Sequence, residues 1–398
     1  MKQENKKITG FNLIEVIIII IICCSLSILA TGVIMINNQK NKIGTSYADM
    51  LNDENIKEFL DTYAQVTNGY YQDVDKSKLI DNAISSMMDY LGDQYSTYLN
   101  TNDTSSLNRK LAGTQKGIGV TLLADGKVKE VQVDSPAAEA GIKEEDKIIA
   151  VNDEDTTNLT GIEIAEKIKN SKDSVNLKIE RQNQIIEKNV EIKDIVLPSI
   201  QTQIISYNNI NIGYLKITTF SSNLSSQVDK ALTKLEKENI HSLIIDLRGN
   251  SGGFLSAATE TANLFLERDK IIYTLEEKNN KTDIKDTTDE HRNYPIAVLI
   301  DGKSASASEI LAAALKYSYN ATLVGSVSYG KGKIQQTHSL SDGTMVKYTS
   351  ATWLTPEGNC IDGIGLIPDY SVPTTDSILK NFPTNDTIIA KAIEVLIK

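Results

Sequence analysis

The sequence predicts an α/β protein with a mainly parallel sheet, an inserted β-rich domain, an N-terminal helical segment and one transmembrane helix. Three observations lead to this fold class. Residues 196–372 alternate short apolar strands with helices, as in a parallel sheet covered by helices. Residues 113–195 carry short strands separated by glycine and aspartate turns. Residues 16–36 contain no charged side chain and are long enough to cross a bilayer as a helix.

The composition is that of a globular protein and excludes several classes of function. Lys and Arg number 41 and Asp and Glu 52, so the net charge of −11 argues against a nucleic-acid partner. Three cysteines are too few for a disulfide framework. The three histidines, His241, His291 and His338, lack the spacing of a zinc site. We therefore expect no metal and no cofactor.

The apolar run at residues 16–36 is predicted to be a membrane anchor. Lysines on both sides give only a weak bias, which favours a cytoplasmic N-terminus. Two alternatives remain open. Ala30 to Gly32 could end a cleaved signal peptide, and Gly10 to Glu15 resembles the processing site of type IV pilins. All three interpretations carry the rest of the chain across the membrane, which predicts a single-pass protein of the cell membrane with its folded domains outside the cytoplasm.

Four segments follow from these changes of pattern. Residues 1–45 form the anchor or signal segment, and residues 46–112 are helical because apolar side chains recur at three- and four-residue steps. Residues 113–195 form the β-rich domain and residues 196–398 the α/β domain. Polar residues 277–293 are expected to form a surface excursion.

The β-rich segment resembles a PDZ domain. The resemblance covers residues 113–195, and its most specific part is the run SPAAEAGI at 135–142 followed by DKIIAVN at 146–152. In that family a glycine-rich loop offers backbone N–H groups to the C-terminal carboxylate of a peptide, which adds as a strand. The loop implied here consists of Gly117, Ile118, Gly119 and Val120. The alternative is that its two glycines only form a tight turn.

Three glycine- or serine-rich segments follow predicted strands in the α/β domain. They are residues 246–253 (DLRGNSGG), 302–309 (GKSASASE) and 325–335 (GSVSYGKGKIQ). The carboxyl ends of parallel strands are where α/β folds place their sites. We therefore expect the three segments to meet at one edge of the sheet.

Two familiar motifs are incomplete in these segments. Residues 325–331 fit the first seven positions of a phosphate-binding loop, but Gly332 stands where the serine or threonine that binds magnesium is needed. Residues 328–331 fit the S-x-x-K motif of penicillin-binding enzymes, whose other two motifs are absent from the sequence. Nucleotide binding and that enzyme class are therefore not expected.

Ser306 and Lys331 are the best candidates for chemistry. A serine hydroxyl needs a base to become a nucleophile, and a lysine can serve when burial lowers its pKa. Ser306 would open a helix, so that the N–H of Ala307 points toward developing oxyanion charge. The alternative is structural, because residues 306–309 (SASE) also fit a helix capping box and Lys331 could be a solvated loop lysine.

Four motifs resemble the carboxy-terminal processing peptidases, a family of Ser–Lys proteases with an embedded PDZ domain. They are IIDLRGNSGG, SASASEILAAAL, SYGKGKIQQT and LTPEGNCIDGIGLIPD. The resemblance runs from about residue 50 to the C-terminus, in the family's order of helices, PDZ domain and protease core. The resemblance implies a protease core of the crotonase or Clp-protease type. It also implies Ser306 as nucleophile, Lys331 as general base and Gln335 as the residue that orients the lysine.

The same resemblance implies that a glycine of the turn at 248–253 supplies an oxyanion N–H, and it leaves Gly252 and Gly253 as equal candidates. The expected function is a membrane-anchored serine endopeptidase whose PDZ domain recruits protein or peptide substrates by their C-termini or gates the site. Homo-oligomerisation is left open. Two alternatives are a proteolytically idle PDZ scaffold that binds peptides and a pilin-like structural role of residues 1–36.

Overall fold

The fold is seen in a computed structural model that describes residues 47–278, 280–373 and 386–397. The described residues fall into two compact units, which divide between Ile84 and Ser85. The described helices are α1 Tyr47–Met50, α2 Glu54–Gly69, α3 Lys76–Tyr90, α4 Thr101–Ala112, α5 Pro136–Glu139, α6 Gly161–Asn170, α7 Leu224–Lys237, α8 Leu255–Ala262, α9 Ala307–Tyr319 and α10 Thr387–Leu396. Helices α2 and α3 contain the apolar repeats noted in residues 46–112, and α4 follows them in the same segment.

The described residues form nineteen strands. They are β1 Thr97–Leu99, β2 Thr114–Gly117, β3 Val120–Leu122, β4 Val128–Val131, β5 Lys147–Val151, β6 Glu154–Asp155, β7 Ser174–Arg181, β8 Gln184–Glu191, β9 Lys193–Val196, β10 Ile200–Tyr207, β11 Ile210–Ile217, β12 Ser242–Asp246, β13 Ile271–Glu277, β14 Asn280–Lys285, β15 Ile296–Ile300, β16 Thr322–Gly325, β17 Lys333–Ser339, β18 Met345–Leu354 and β19 Tyr370–Ser371.

A six-stranded sheet in the order β10-β11-β12-β15-β16-β19 forms the centre of the α/β part. Strand β10 runs antiparallel to β11, and the other pairs are parallel. Each central strand presents alternate side chains to opposite faces, as the pleat requires. In β15, Ile296, Val298 and Ile300 pack in the core with α7, α8 and α9, whereas Ala297 and Leu299 pack with α10. The sheet is therefore covered by helices on both faces.

A second sheet has the order β1-β18-β13-β14, with β17 also paired to β18. All its described pairs are antiparallel. Strand β14 lies in the polar segment 277–293, which was expected to form a surface excursion. Its residues 280–285 are mostly exposed and form the outer arm of a hairpin with β13.

The segment 113–195 contains three small sheets, β2-β9, β3-β4 and β6-β5-β7-β8. Its own hydrophobic core is formed by side chains of strands and of α6, among them Ile148, Ile164, Leu177 and Ile179, all fully buried. Helix α6 begins with a capping box, in which Thr160 Oγ1 accepts from the Glu163 N–H and the Glu163 carboxylate accepts in return. The boundaries predicted at residues 45, 112 and 195 stay predictions.

The transmembrane helix of the predicted fold class is corrected. Among residues 47–278, 280–373 and 386–397, no helix is long and apolar enough to span a bilayer. The longest, α2, has 16 residues, about 24 Å against a hydrocarbon core of about 30 Å. The prediction rested on residues 16–36, which lie outside the described residues, as do its signal-peptide and pilin alternatives. The predicted single-pass localisation is withdrawn with it.

A buried ionic cluster ties the C-terminal helix to the turn after β12. Arg248 Nη2 lies 2.6 Å from Asp246 Oδ2, and its Nη1 lies 2.9 Å from Asp386 Oδ2. Asp386 also caps α10, because its Oδ1 accepts from the N–H groups of the residues 388 and 389. Tyr214 Oη donates to Asp246 Oδ2 at 2.7 Å. Each buried charge therefore has at least one opposite partner and a hydrogen bond.

Replacing Asp386 tests this cluster. We expect Asp386→Ala to lower the free energy of unfolding by about 3 kcal/mol, because it removes a buried ion pair and a helix cap together. Asp229→Ala removes an ion pair of Arg292 whose carboxylate is half exposed and should cost less than about 1 kcal/mol. Urea unfolding followed by the fluorescence of Trp353, the chain's one tryptophan, measures both. Equal losses of unfolding free energy in the two variants would contradict the stabilising role given to the buried ionic cluster.

Candidate active site

The three glycine- and serine-rich segments meet at the carboxyl edge of the six-stranded sheet, as predicted. They follow β12, β15 and β16, which are consecutive neighbours in that sheet. The parallel register places Asp246, the last residue of β12, beside Leu299 of β15. The segments are also bonded to one another, since Ala305 N–H donates to Asn250 O at 3.1 Å and Tyr329 N–H donates to Ser304 O at 3.0 Å.

Ser306 occupies a strained backbone position at the start of α9. Its φ of 57° and ψ of −117° are unfavourable for a residue with a Cβ. The preceding loop is fixed by Ser304, whose buried hydroxyl donates to Leu247 O at 2.9 Å. The side chain of Ser306 remains half-buried at the helix N-terminus, where backbone N–H groups favour negative charge. Strain held in place by buried neighbours is a feature of functional sites.

The buried Glu309 carboxylate connects the helix that begins after Ser306 with the loop that contains Lys331. Glu309 is 0% exposed, and both of its oxygens accept hydrogen bonds from two groups. Oε2 accepts from the N–H groups of Ser306 at 2.8 Å and Lys331 at 2.9 Å. Oε1 accepts from Ser328 Oγ at 2.5 Å and from the N–H of Gly330 at 2.7 Å. The Glu309 carboxylate therefore accepts from the Ser306 N–H, as in a capping box, and it also accepts from three further donors.

Lys331 is partly buried and lies against an aromatic ring. Its Nζ is 4.7 Å from the ring centroid of Tyr95, a cation–π distance. Its carbonyl accepts from Nε1 of the fully buried Trp353 at 3.0 Å. Burial lowers the pKa of Lys331 below its usual 10.5, and the positive charge of Lys347 lowers it further.

The side chain of Gln335 is hydrogen-bonded to Thr349 of β18. Gln335 Nε2 is 3.5 Å from Thr349 Oγ1, which donates to Asp93 Oδ2 at 2.5 Å. Among the described residues, hydrogen bonds link Ser306 to Lys331 through Glu309 and not through Gln335. The expectation that Gln335 orients the lysine stays a prediction.

The two glycines of the turn after β12 differ in their surroundings. Gly252 has φ 99°, and a Cβ there would lie 2.8 Å from Ala305 O and 3.1 Å from Ala307 N. Its N–H donates to Asn250 Oδ1 at 2.9 Å. A Cβ on Gly253 would instead lie 2.3 Å from Phe220 O. The turn can therefore pass beside the start of α9 only with glycine at 252, and beside Phe220 only with glycine at 253.

The loop of the PDZ-like segment lies at one end of a groove of about 280 Å³ between β3 and α6. Gly117, Ile118, Gly119 and Val120 all line it. Gly119 has φ 85°, and a Cβ there would lie 2.3 Å from Ser135 Cβ. In the part of the chain that is described, β3 is paired on one side only, with β4. The groove thus offers a strand edge and a helix, the arrangement that strand addition uses.

Sequence reasoning missed three side chains of this site. Glu309 was interpreted only as a capping residue, and the sequence gives no sign that residues 328–331 would reach it. Asp93 and Tyr95 belong to the loop after α3, more than 200 residues before Lys331. Asp93 joins that loop to β18 through Thr349. No spacing rule connects such distant positions.

No cluster of three or more His, Cys, Asp or Glu side chains that could hold a metal ion occurs within the described ranges.

Comparison with known proteins identifies the family. The family model of peptidase family S41 matches residues 211–372, and that of the PDZ domain matches residues 104–180. The carboxy-terminal processing protease CtpB of Bacillus subtilis is 35% identical over 340 residues, which cover 83% of this chain and 71% of that protein. The chain belongs to peptidase family S41. It is a carboxy-terminal processing serine protease with a PDZ domain.

Other comparisons agree with membership of family S41. The model of the N-terminal domain of the activating protease CtpB matches residues 28–103. The carboxy-terminal processing protease CtpA of Bacillus subtilis is 33% identical over 386 residues, 94% of this chain and 80% of that protein. A solved structure of a putative S41 protease from Bacteroides fragilis has a TM-score of 0.50 at 16% identity, covering 82% of this chain and 98% of that one. This last likeness concerns the fold alone.

The role of Glu309 leads to a prediction for this S41 peptidase. Glu309→Gln replaces one acceptor oxygen by an NH₂ group, which then faces donors. We expect it to lower peptidase activity by about 100-fold or more and the free energy of unfolding by about 3 kcal/mol. Cleavage of an unfolded protein and urea unfolding measure the two effects.

Glu290→Gln, at an exposed carboxylate, is the matched control and should change neither quantity. Full activity of Glu309→Gln would contradict the proposed importance of the carboxylate.

Proposed function

We propose that this S41 peptidase is an endopeptidase that uses Ser306 as nucleophile and Lys331 as general base. The observation that carries the proposal is the shared carboxylate of Glu309, which accepts from the backbone N–H groups of both residues. The lowered pKa of Lys331 supports it, because a larger fraction of the amine is then neutral and able to accept a proton. The strained φ of Ser306 supports it further.

The reaction would proceed in two halves. Ser306 Oγ attacks the scissile carbonyl carbon while the neutral Lys331 amine takes the hydroxyl proton. The tetrahedral intermediate collapses, the C–N bond breaks, and the Lys331 ammonium returns the proton to the leaving amine. Water then attacks the acyl-enzyme ester with Lys331 again as base, and the released acid leaves Ser306 free. The first half moves the hydroxyl proton of Ser306 through Lys331 to the leaving amine, and the second half moves a proton from water through Lys331 back to Ser306 Oγ, so each half begins and ends with a neutral lysine.

Backbone N–H groups would hold the oxyanion of that intermediate. Ala307 N–H is one donor, at the N-terminus of α9, where the helix dipole favours negative charge. For the second donor we assign Gly253. The N–H of Gly252 already donates to Asn250 Oδ1, whereas the N–H of Gly253 takes part in no hydrogen bond within the described part of the chain.

The PDZ domain would recruit the C-terminus of a protein or peptide substrate. The loop Gly117 to Val120 lines its groove beside β3, and backbone N–H groups of this loop would donate to the terminal carboxylate. The second candidate function, an idle scaffold that only binds peptides, shares this step and lacks the chemistry. The two proposals therefore differ in what loss of Ser306 does to cleavage.

Two substitutions test the dyad. In the full chain, Ser306→Ala and Lys331→Ala should each reduce cleavage of an unfolded protein by about 10³-fold or more, since the nucleophile and its base act as a unit. Lys303→Ala, at an exposed lysine of the same loop, is the control and should retain activity. Equal cleavage by all variants would refute the site, and peptide binding without any cleavage by the wild type would favour the scaffold.

The pH profile tests the role of Lys331 separately. Only the neutral amine accepts a proton, so kcat/KM should rise as the pH rises through the lowered pKa of Lys331. Lys347→Gln removes a positive charge that lowers this pKa. The rising limb should therefore move to higher pH in Lys347→Gln and stay in place in Lys230→Gln, an exposed control. If the rising limb of kcat/KM stays at the same pH in Lys347→Gln, the assignment of Lys331 as the base is contradicted.

A further inference from the structure

A second depression lies between the PDZ domain and the turn after β12. Its volume is about 350 Å³, and we call it the basic pocket. Helix α4 contributes Arg109 and Lys110, and α6 contributes Lys169. Gly249 and Ser251 of the turn line it from the protease side. Three elements that are far apart in the sequence therefore converge here.

The charge of the basic pocket is opposite to that of the whole chain. Three of its lining residues are cationic and none is acidic, although the chain carries a net charge of −11. Within the described ranges, Arg109, Lys110 and Lys169 take part in none of the ion pairs. A concave surface that gathers unpaired cations attracts anionic groups and repels cationic ones.

The basic pocket is continuous with the PDZ groove. Gln115 and Leu197 line both depressions, so a peptide held beside β3 at the loop end lies next to the basic pocket. On its other side the pocket reaches Ser251, the residue before Gly252 and Gly253. It therefore occupies the space between the proposed peptide groove and the proposed oxyanion donors.

The positive charge of the basic pocket also acts on the proposed base. Lys110 is near enough to Lys331 for its charge to lower the pKa of that amine. A carboxylate bound at Lys110 would therefore lie close to the reacting groups, and its charge would oppose that effect. Binding in the pocket and chemistry at Ser306 are thus adjacent events.

We propose that the basic pocket binds a carboxylate of the substrate peptide, through Arg109, Lys110 and Lys169. The carboxylate comes from an acidic side chain near the cleavage site, or from the C-terminus of a peptide whose terminus is not held at the loop Gly117 to Val120, and the two sources share the same recognition chemistry. This site is separate from the backbone loop Gly117 to Val120. The inference rests on the proposed function, and it makes the peptidase selective for substrates with a negative charge at this position.

The expected gain is modest because the pocket is open. Arg109 is half-buried, and the two lysines are exposed. Water and salt therefore screen their charges. We expect a correctly placed carboxylate to tighten peptide binding about fivefold at low ionic strength, with most of the gain lost at high salt. A guanidinium can also bind a carboxylate through two parallel hydrogen bonds, so Arg109 should contribute most.

The experiment measures peptide binding by the full chain carrying Ser306→Ala, so that no cleavage occurs. One series of labelled peptides with a constant apolar C-terminus moves a single glutamate, or a glutamine in its place, along the sequence. A second series compares a free C-terminus with an amide. Fluorescence polarisation at low and high salt gives each Kd. The first series detects a side-chain carboxylate, and the second detects the terminal one.

The same peptides are then measured with Arg109→Gln and Lys169→Gln added. The preference for the charged peptide should fall about fivefold towards equality in these variants, and Arg109→Lys should restore part of it. Lys230→Gln, outside the pocket, should leave the preference unchanged. The inference is overturned if neither series shows a preference, or if the preference persists unchanged without Arg109 and Lys169.

Because Ser306→Ala is used throughout, this test is independent of the catalytic assignment. A charge preference that depends on Arg109 would support the pocket even if Ser306 proved not to be the nucleophile. Conversely, a working Ser306 and Lys331 with no such preference would overturn only the pocket. In the active chain, the kcat/KM for a glutamate peptide should exceed that for its glutamine counterpart, and Arg109→Gln should remove the difference.

Discussion

The arrangement of the candidate site depends on one buried carboxylate. Glu309 accepts four hydrogen bonds, and two of their donors are the backbone N–H groups of Ser306 and Lys331. A carboxylate in a dry interior is costly unless its lone pairs are satisfied, and here both oxygens have two donors. The same contacts that make Glu309 tolerable in the core therefore fix the start of α9 and the loop after β16 relative to each other. Movement of either segment would leave part of the charge without donors.

The other supports of the site reach it from distant parts of the chain. Trp353 of β18 holds the carbonyl of Lys331, and the ring of Tyr95 covers its ammonium group. Arg248 links the glycine-rich turn to Asp386 at the start of the C-terminal helix. The base therefore lies where the two large sheets meet the loop after α3. This placement buries the lysine enough to lower its pKa while leaving the serine half-buried at the edge of the sheet.

The parallel sheet and the candidate residues could be predicted from the sequence. The contacts between distant loops could not, for a physical reason. The alternation of apolar strands and amphipathic helices along residues 196–372 predicts the parallel sheet, because each helix connects two parallel strands and covers a face of the sheet. The motifs around Ser306 and Lys331 predict these two residues as the candidate nucleophile and base. The donors that Glu309 receives from residues 328–330, and the contact of Tyr95 with Lys331, depend on how loops from separate strands pack. The spacing of residues within one short segment does not indicate which distant segments will contact it. The transmembrane helix was the one element of the fold class that had to be withdrawn.

The PDZ groove, the basic pocket and the glycine-rich turn follow one another across the surface, which places proposed recognition beside proposed chemistry. The whole account depends on Ser306 being acylated with Lys331 as its base. The most direct test treats the full chain with a serine-reactive fluorophosphonate over a range of pH and maps the adduct by mass spectrometry. The account predicts modification of Ser306 alone, at a rate that rises with pH and is lost in Lys331→Ala. An adduct on another residue, or undiminished labelling without Lys331, would contradict it.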